Sequence, residues 1–249
     1  MLYADCFVTG CDALILSDRP YSEKTAPQNA DLLGFPMAVM DKIKQVLEQH
    51  CPGVVCCADI LNFAARDAAH LEGRDVVLRG VGGPPIGDHP WGSVLAYFES
   101  RGLDVLDLVT LLGGHSMGKT SCSFIADRLY NFNKIGKPDP SMDSSFLAQM
   151  REQGPPNSKN QLYLDPDSGS SYSFSKSFYS GVLNHRVVLG IDQQITANND
   201  SSQIAEEFNA SFEDFRKMFA LSMSRMGNIK VLPGKQGEIR KNCRVVNGK

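Results

Sequence analysis

Two stretches of this chain collect residues that can do chemistry. One is Asp5-Cys6-Phe7-Val8-Thr9-Gly10-Cys11-Asp12, where two cysteines five apart bracket a tight turn and an aspartate adjoins each of them. The other is Leu108-Val109-Thr110-Leu111-Leu112-Gly113-Gly114-His115, an apolar run that ends in two glycines and a histidine. Imidazole binds transition metals and carries protons near neutral pH, and paired glycines let a large group approach the backbone closely. His115 is therefore a candidate ligand, set against the commoner case of a hydrogen-bonded core histidine. The other histidines carry less. His50 ends a helical pattern beside Cys51, where positive charge suits the helix dipole, and His70 and His89 read as solvated.

Seven cysteines allow two readings. In a reduced protein they are buried hydrophobes or metal ligands; in an oxidised one they form disulfides and leave at least one thiol over. No Cys-x-x-Cys pair faces a second such pair, which argues against structural zinc. Asn199-Asp200-Ser201 and Asn209-Ala210-Ser211 match the acceptor pattern for N-glycosylation and lean slightly towards a secreted ancestry. At 249 residues and a net charge of −3, the composition is that of a soluble globular protein able to build a core without staples. Scattered basic residues give no footprint for nucleic acid or an anionic membrane. No apolar run approaches the roughly eighteen residues of a spanning helix, and no signal peptide pattern opens the chain.

The elements that must position these residues read as helices. Pro36 to Glu48 puts Val39, Ile43, Val46 and Leu47 on one face, and Cys51-Pro52-Gly53 ends it. Ala58 to Leu71 carries a stripe of Ile60, Leu61, Ala64, Ala65, Ala68 and Leu71. Val94 to Ser100 and Val105 to Leu112 follow, then a helix after His115 with Phe124, Ile125 and Leu129. Phe208, Phe212, Phe215, Phe219, Met223 and Met226 recur at helical spacing, which is core packing, with Gly227 as a C-cap. Strand signals are scarce, Val76-Val77-Leu78 being the best. The chain reads as all-α.

Longer strings now carry a resemblance. Leu111-Leu112-Gly113-Gly114-His115-Ser116-Met117-Gly118 resembles the proximal haem-ligand motif of the secretory plant peroxidases (class III), and the Asp5 to Asp12 stretch resembles their distal-side motif. Glu23-Lys24-Thr25-Ala26-Pro27-Gln28-Asn29, the run from Cys51 to Leu61, Arg128-Leu129-Tyr130-Asn131-Phe132, Met226-Gly227-Asn228-Ile229 and the run from Gly237 to Asn247 follow the same family in order.

The resemblance implies an all-α, plant-type haem peroxidase fold with two helical lobes around a haem cleft, residues 1–249 forming a single domain. It implies haem b, calcium at up to two sites, hydrogen peroxide with small aromatic reductants of phenolic type, and a role in peroxide removal under oxidative stress. It also implies a secreted, extracellular monomer. By the same likeness His115 is the axial iron ligand, and Asp192 in Gly190-Ile191-Asp192-Gln193 accepts its other ring N–H, which raises imidazole basicity. The distal calcium set matches Asp5, Val8 and Gly10 through their carbonyls, Asp12, and Glu23 beside them; the proximal set matches Ser116 with Asp165 or Asp167. Cys6 pairs with Cys11 and Cys57 with Cys243, Pro84 lines the substrate entrance, and Arg74 reaches Asp59.

The departures are as telling. Ala4 stands where the family has its distal histidine, and the distal arginine, first helix, first cysteine and signal peptide would precede Met1. Glu23 and Asn29, the relay that orients that histidine in the family, are left without it. Tyr3 beside it is a poor base at neutral pH. Leu14 replaces a calcium-binding serine, Ser175 a calcium-binding aspartate, and Gly154 the partner cysteine of Cys122. Cys51, Cys56 and Cys122 are then free thiols. The expected consequence is a preserved proximal half and an impaired step of peroxide activation.

Overall fold

The computed structural model describes residues 1–20, 22–26, 29, 34–70, 90–169 and 174–248. Pro84, Arg74, His89 and the Val76 to Leu78 run lie outside the described residues. Among those described, eleven α-helices and one two-stranded sheet account for the regular structure. The helices are α1 (Leu2–Cys6), α2 (Phe35–His50), α3 (Cys57–His70), α4 (Trp91–Glu99), α5 (Val105–Leu112), α6 (Cys122–Tyr130), α7 (Ser144–Gln153), α8 (Ser177–Leu183), α9 (Gly190–Gln193), α10 (Asn199–Ala210) and α11 (Phe212–Met226). The all-α expectation holds. The described residues divide into two compact units, one drawn from residues 1–70 and 223–248, the other from residues 90–222.

In the first unit, α2 falls where its periodicity predicts, but not with the predicted face inward. Met37, Met40 and Lys44 are buried, whereas Val39, Ile43 and Leu47 are half-buried and Val46 is exposed. The reason is Lys44. Its stem packs inside while its ammonium donates to Glu48 Oε1 and to the Val55 carbonyl, each at 2.6 Å, so a residue that scores as polar occupies a core position. Glu48 also accepts from Gly53 N–H at 3.0 Å, and the two side chains together brace the turn after α2. Disulfides Cys6–Cys11 and Cys57–Cys243 form as the family pairing implies, and Cys51, Cys56 and Cys122 are free. Arg240 reaches the carbonyls of Asp12 and Ala13 at 2.8 and 3.0 Å, tying the C-terminal segment to the turn that follows α1.

In the second unit, α5 opens with a reciprocal cap. Asp104 accepts from Asp107 N–H at 2.9 Å, and Asp107 accepts from Asp104 N–H at 3.0 Å. Leu108, Val109 and Leu112 then bury the apolar face. The strands β1 (Lys119–Ser121) and β2 (Gln161–Tyr163) pair antiparallel with Lys119 opposite Tyr163, far apart in sequence and unannounced by either short string. A core of Cys122, Ile125, Leu129, Phe146, Met150 and Val188 packs α6 and α7 together. Within it Arg128 donates to Asp139 at 2.7 Å and to the Val187 carbonyl at 2.5 Å, with the Arg128 and Asp139 side chains both buried.

The single Phe/Met helix expected from Phe208 onward is two helices. Ser211 adopts an extended backbone (φ −130, ψ 95) and breaks the run between α10 and α11. The stripe survives because Phe208 and Phe215 still meet, with ring centroids 5.7 Å apart. Gly227 has no left-handed φ to serve as the expected cap. A Cβ there would overlap the Asn62 amide, so close packing is what selects glycine.

Candidate functional site

The carboxyl end of α5 runs into a tight 3-10 turn, Gly113–Ser116, which carries His115. Gly113 is obligatory: a Cβ at this position would collide with the Tyr179 hydroxyl and the Phe215 ring. The glycine pair was expected to admit something large, and the large groups that press on Gly113 are this protein's own aromatics. Tyr179, on α8, donates to the Val109 carbonyl at 3.0 Å and packs among Phe178, Phe208 and Phe215. Burial pushes its phenol well above the ordinary value, so the hydroxyl stays a donor. Tyr179 is not singled out by the sequence reading above; its signal is an aromatic pair, Phe178-Tyr179, in a serine-rich stretch.

From α9, Asp192 meets this turn. His115 Nδ1 and Asp192 Oδ1 lie 2.8 Å apart, with the Asp192 side chain 1% and the His115 side chain 23% exposed. An ionised carboxylate only accepts, so Nδ1 carries the proton and the Nε2 lone pair is left outward. Nε2 makes no hydrogen bond among the described residues. Burial disfavours the imidazolium, yet the charge and hydrogen bond of Asp192 outweigh it and hold His115 above its usual pKa. A fixed tautomer, a basic ring and a free Nε2 are what an axial iron ligand requires, and the pair fits haem on that ground.

The distal-side residues sit in the first unit. Ala4 is fully buried in α1. Asp5, next to it, accepts from Ala13 N–H at 2.9 Å and from Ile15 N–H at 3.4 Å. Oxygens of Asp5, Asp12 and Glu23 lie within 4.8 Å of one another. The Thr9 hydroxyl bridges Asp12 at 3.0 Å and Glu23 at 3.2 Å, a contact the motif by itself does not reveal. Burial, and then the neighbouring Asp12 charge, push Asp5 up to about 7; burial and the charges of Asp5 and Asp12 push Glu23 up to about 8. The Glu23 Oε2 atom is buried without a partner among the described residues. The oxygens of these three carboxyls, crowded together, form a cage suited to a divalent cation, and the chemistry fits calcium. Val8 and Gly10 lie on the same loop, though the Gly10 carbonyl accepts from Asp12 N–H at 2.8 Å, and Leu14 offers no side-chain oxygen.

Asn29 holds Glu23 in place, its amide donating to the Glu23 carbonyl at 2.8 Å. Its other end is different. Asn29 Oδ1 is buried and has no hydrogen-bond partner among the described residues. A buried carbonyl left in this state costs about 1–3 kcal/mol.

The proximal oxygen set does not assemble in the same way. Leu164 N–H donates to the Gly118 carbonyl at 3.1 Å, which extends the β1–β2 register and brings Asp165 level with Met117, next to Ser116. The Ser116 hydroxyl is buried without a partner among the described residues. Asp165, however, accepts from Ser177 at 2.6 Å, and Asp167 turns to Arg186 at 3.3 Å.

Against known proteins, the family profile described as "Peroxidase" matches residues 1–211. "Probable peroxidase 26" and "Probable peroxidase 61" of Arabidopsis thaliana are 53% and 54% identical to this chain, each over 99% of it and over 78% and 77% of their own lengths. "Peroxidase 37" of the same plant is 38% identical over 99% of this chain and 77% of its own length.

Proposed function

The chain belongs to the peroxidase family, and on that basis we propose that it is a haem b-dependent oxidoreductase that reduces hydrogen peroxide and oxidises small aromatic, phenolic-type donors. The observation that carries this reading is the His115–Asp192 pair at 2.8 Å, its carboxylate buried and its imidazole half-buried, with Nε2 free of hydrogen bonds among the described residues. Haem, when bound, supplies the redox chemistry of peroxide cleavage. His115 would hold the iron through Nε2. Asp192 takes the Nδ1 proton, fixes the ring and strengthens its donation to the metal. Tyr179 and Phe215, packed on Gly113, set the turn from which the imidazole projects.

The proton steps are less well served. Ala4 has no atom that can accept or return a proton, so that work falls to solvent, at a cost of about 10²–10⁴-fold in rate. Asn29 and Glu23 keep the positions of a relay whose recipient is missing. A second reading, favoured by the unpartnered Asn29 Oδ1, is a haem-binding homologue with strongly reduced turnover. Calcium would be held by Asp5, Asp12 and Glu23 with carbonyls of the Val8–Gly10 loop. Residues 1–249 would act as one domain and as a monomer outside the cell, as the family does. No helix among the described residues is long and apolar enough to cross a membrane.

The test is a haemin titration of the refolded chain, read by the Soret band, with His115→Ala as control. A saturable band lost in the variant supports the axial role; an unchanged band in the variant rejects it. Peroxide and a phenol added to the loaded protein then separate a slow enzyme from a passive binder.

A further inference from the structure

Where the family closes its proximal side with a second calcium ion, we propose that this chain uses a metal-free latch of hydrogen bonds, built from Asp165, Ser177 and Ser175, that positions the turn carrying His115. The latch depends on the family reading only for what position 175 holds in relatives; its own contacts stand in this chain.

Asp165 is buried. One oxygen accepts from the Ser177 hydroxyl at 2.6 Å, the other from Ser168 N–H at 3.3 Å. The hydroxyls of Ser177 and Ser175 are hydrogen-bonded to each other, and Ser177 N–H donates to the Ser175 hydroxyl at 3.0 Å. The second acid, Asp167, is engaged by the Arg186 guanidinium at 3.3 and 3.4 Å, and that guanidinium also reaches Asp143 at 3.5 Å. One carboxylate is thus satisfied by a hydroxyl and the other by a cation of the protein.

The chemistry of position 175 decides between metal and latch. A calcium ion takes six to eight oxygens at about 2.3–2.6 Å and needs negative charge among them. An aspartate at 175 could only accept, so with Asp165 it would form a pair of acceptors that must recruit a cation. A serine both donates and accepts, so Ser175, Ser177 and Asp165 close on themselves. The contrast with Asp5, Asp12 and Glu23, whose oxygens crowd one another around the Thr9 hydroxyl, lies within the same chain.

The latch sits where it can act on the site. Ser177 is the first residue of α8, and two residues on Tyr179 grips the Val109 carbonyl and presses on Gly113. Just before it, Phe174 packs edge-on against Phe215 and Phe219, at 5.5 and 4.8 Å between ring centroids. Fixing Ser177 therefore fixes both aromatic supports of the His115 turn. Asp165 and Ser177 are positioning residues in this sense.

The experiment counts tightly bound calcium in the full chain by elemental analysis after gel filtration, and follows thermal unfolding with calcium and with chelator. At most one calcium per chain is expected. Ser177→Ala should lower the melting temperature by roughly 5 °C, equally in calcium and in chelator, and should broaden or shift the Soret band of the haemin-loaded protein. Ser177→Thr, which keeps the hydroxyl, should restore both. A second calcium whose binding disappears in Ser177→Ala or Asp165→Asn would overturn the proposal, as would a Ser177→Ala chain indistinguishable from the parent. A chain that fails to take up haemin would defeat the functional reading but leave the calcium count and the melting data to judge the latch.

Discussion

The two regions that the family devotes to peroxide chemistry have fared differently in this chain. Around His115 the contacts that hold the imidazole are in place: a capped helix, a glycine packed under Tyr179 and Phe215, and a buried carboxylate on Nδ1. Around Ala4 the supports also survive, because Glu23, Thr9 and Asn29 remain hydrogen-bonded to one another or to their neighbours. On the reading proposed above, what is missing there is the group they support. A framework of hydrogen bonds can therefore persist after its client is gone, since Asp5 and Glu23 also build an oxygen cage and Asn29 also pins the Glu23 carbonyl. Supports with two duties outlast the loss of one.

The largest test of this contrast is Ala4→His. Restoring a proton carrier beside an intact relay should raise the rate of the haem-loaded chain with peroxide by about 10²–10⁴-fold, measured by stopped-flow. An unchanged rate with a normal Soret band would mean that the distal side lacks more than its base.

Next in size is the frame of the proximal half. Asp139→Ala leaves Arg128 buried and unpaired, a loss of about 3–5 kcal/mol in denaturant unfolding. Burial works against ionised Asp139, but hydrogen bonds from Ser141 and Arg128 outweigh it and hold the carboxyl below its usual pKa. A carboxyl depressed in the folded state stabilises above its unfolded pKa near 3.8, and that contribution is lost as pH falls through the lower folded value. The acid-side fall in stability should therefore be shallower in the variant than in the parent.

Gly154→Cys comes third. A Cβ at 154 lies 2.8 Å from Cys122 Sγ and 3.4 Å from Cys122 Cβ, close to the spacing of a disulfide. The bridge should form in air and add about 2–4 kcal/mol, seen as a melting temperature that drops on reduction only in the variant. If no thiol is consumed, the α6–α7 packing is looser than these distances require.

The smallest expected effect sharpens the proximal side itself. Asp192→Asn keeps a hydrogen-bonding side chain but cannot hold the Nδ1 proton as a carboxylate does. Haemin affinity should fall by about 10–100-fold with His115 still bound to iron, whereas loss of all binding would make Asp192 a folding residue rather than a tuning one.

Much of this was legible in order along the chain. The helical periodicity placed α2, α3 and α5 within a few residues, and the long strings around Asp5, His115 and Asp192 pointed to the family and its ligand pair. Local pattern suffices there because helices follow the spacing of apolar residues, and site motifs keep residues of fixed chemistry at fixed separations. Other features arise only on folding. The β1–β2 pairing, the burial of Lys44, the break at Ser211, the pressure of Tyr179 on Gly113 and the closure of Ser175 and Ser177 on Asp165 all depend on contacts made through space. None has a local signature, because each depends on which partner the backbone brings within reach. The order of residues by itself gives a candidate iron-binding histidine and a candidate carboxylate for it, and, through the family likeness, the expectation that Ala4 stands at the distal histidine position. That Asn29 Oδ1 is left buried without a donor among the described residues emerges from the folded chain alone, because satisfying a polar atom is a matter of distance and direction rather than of order along the chain.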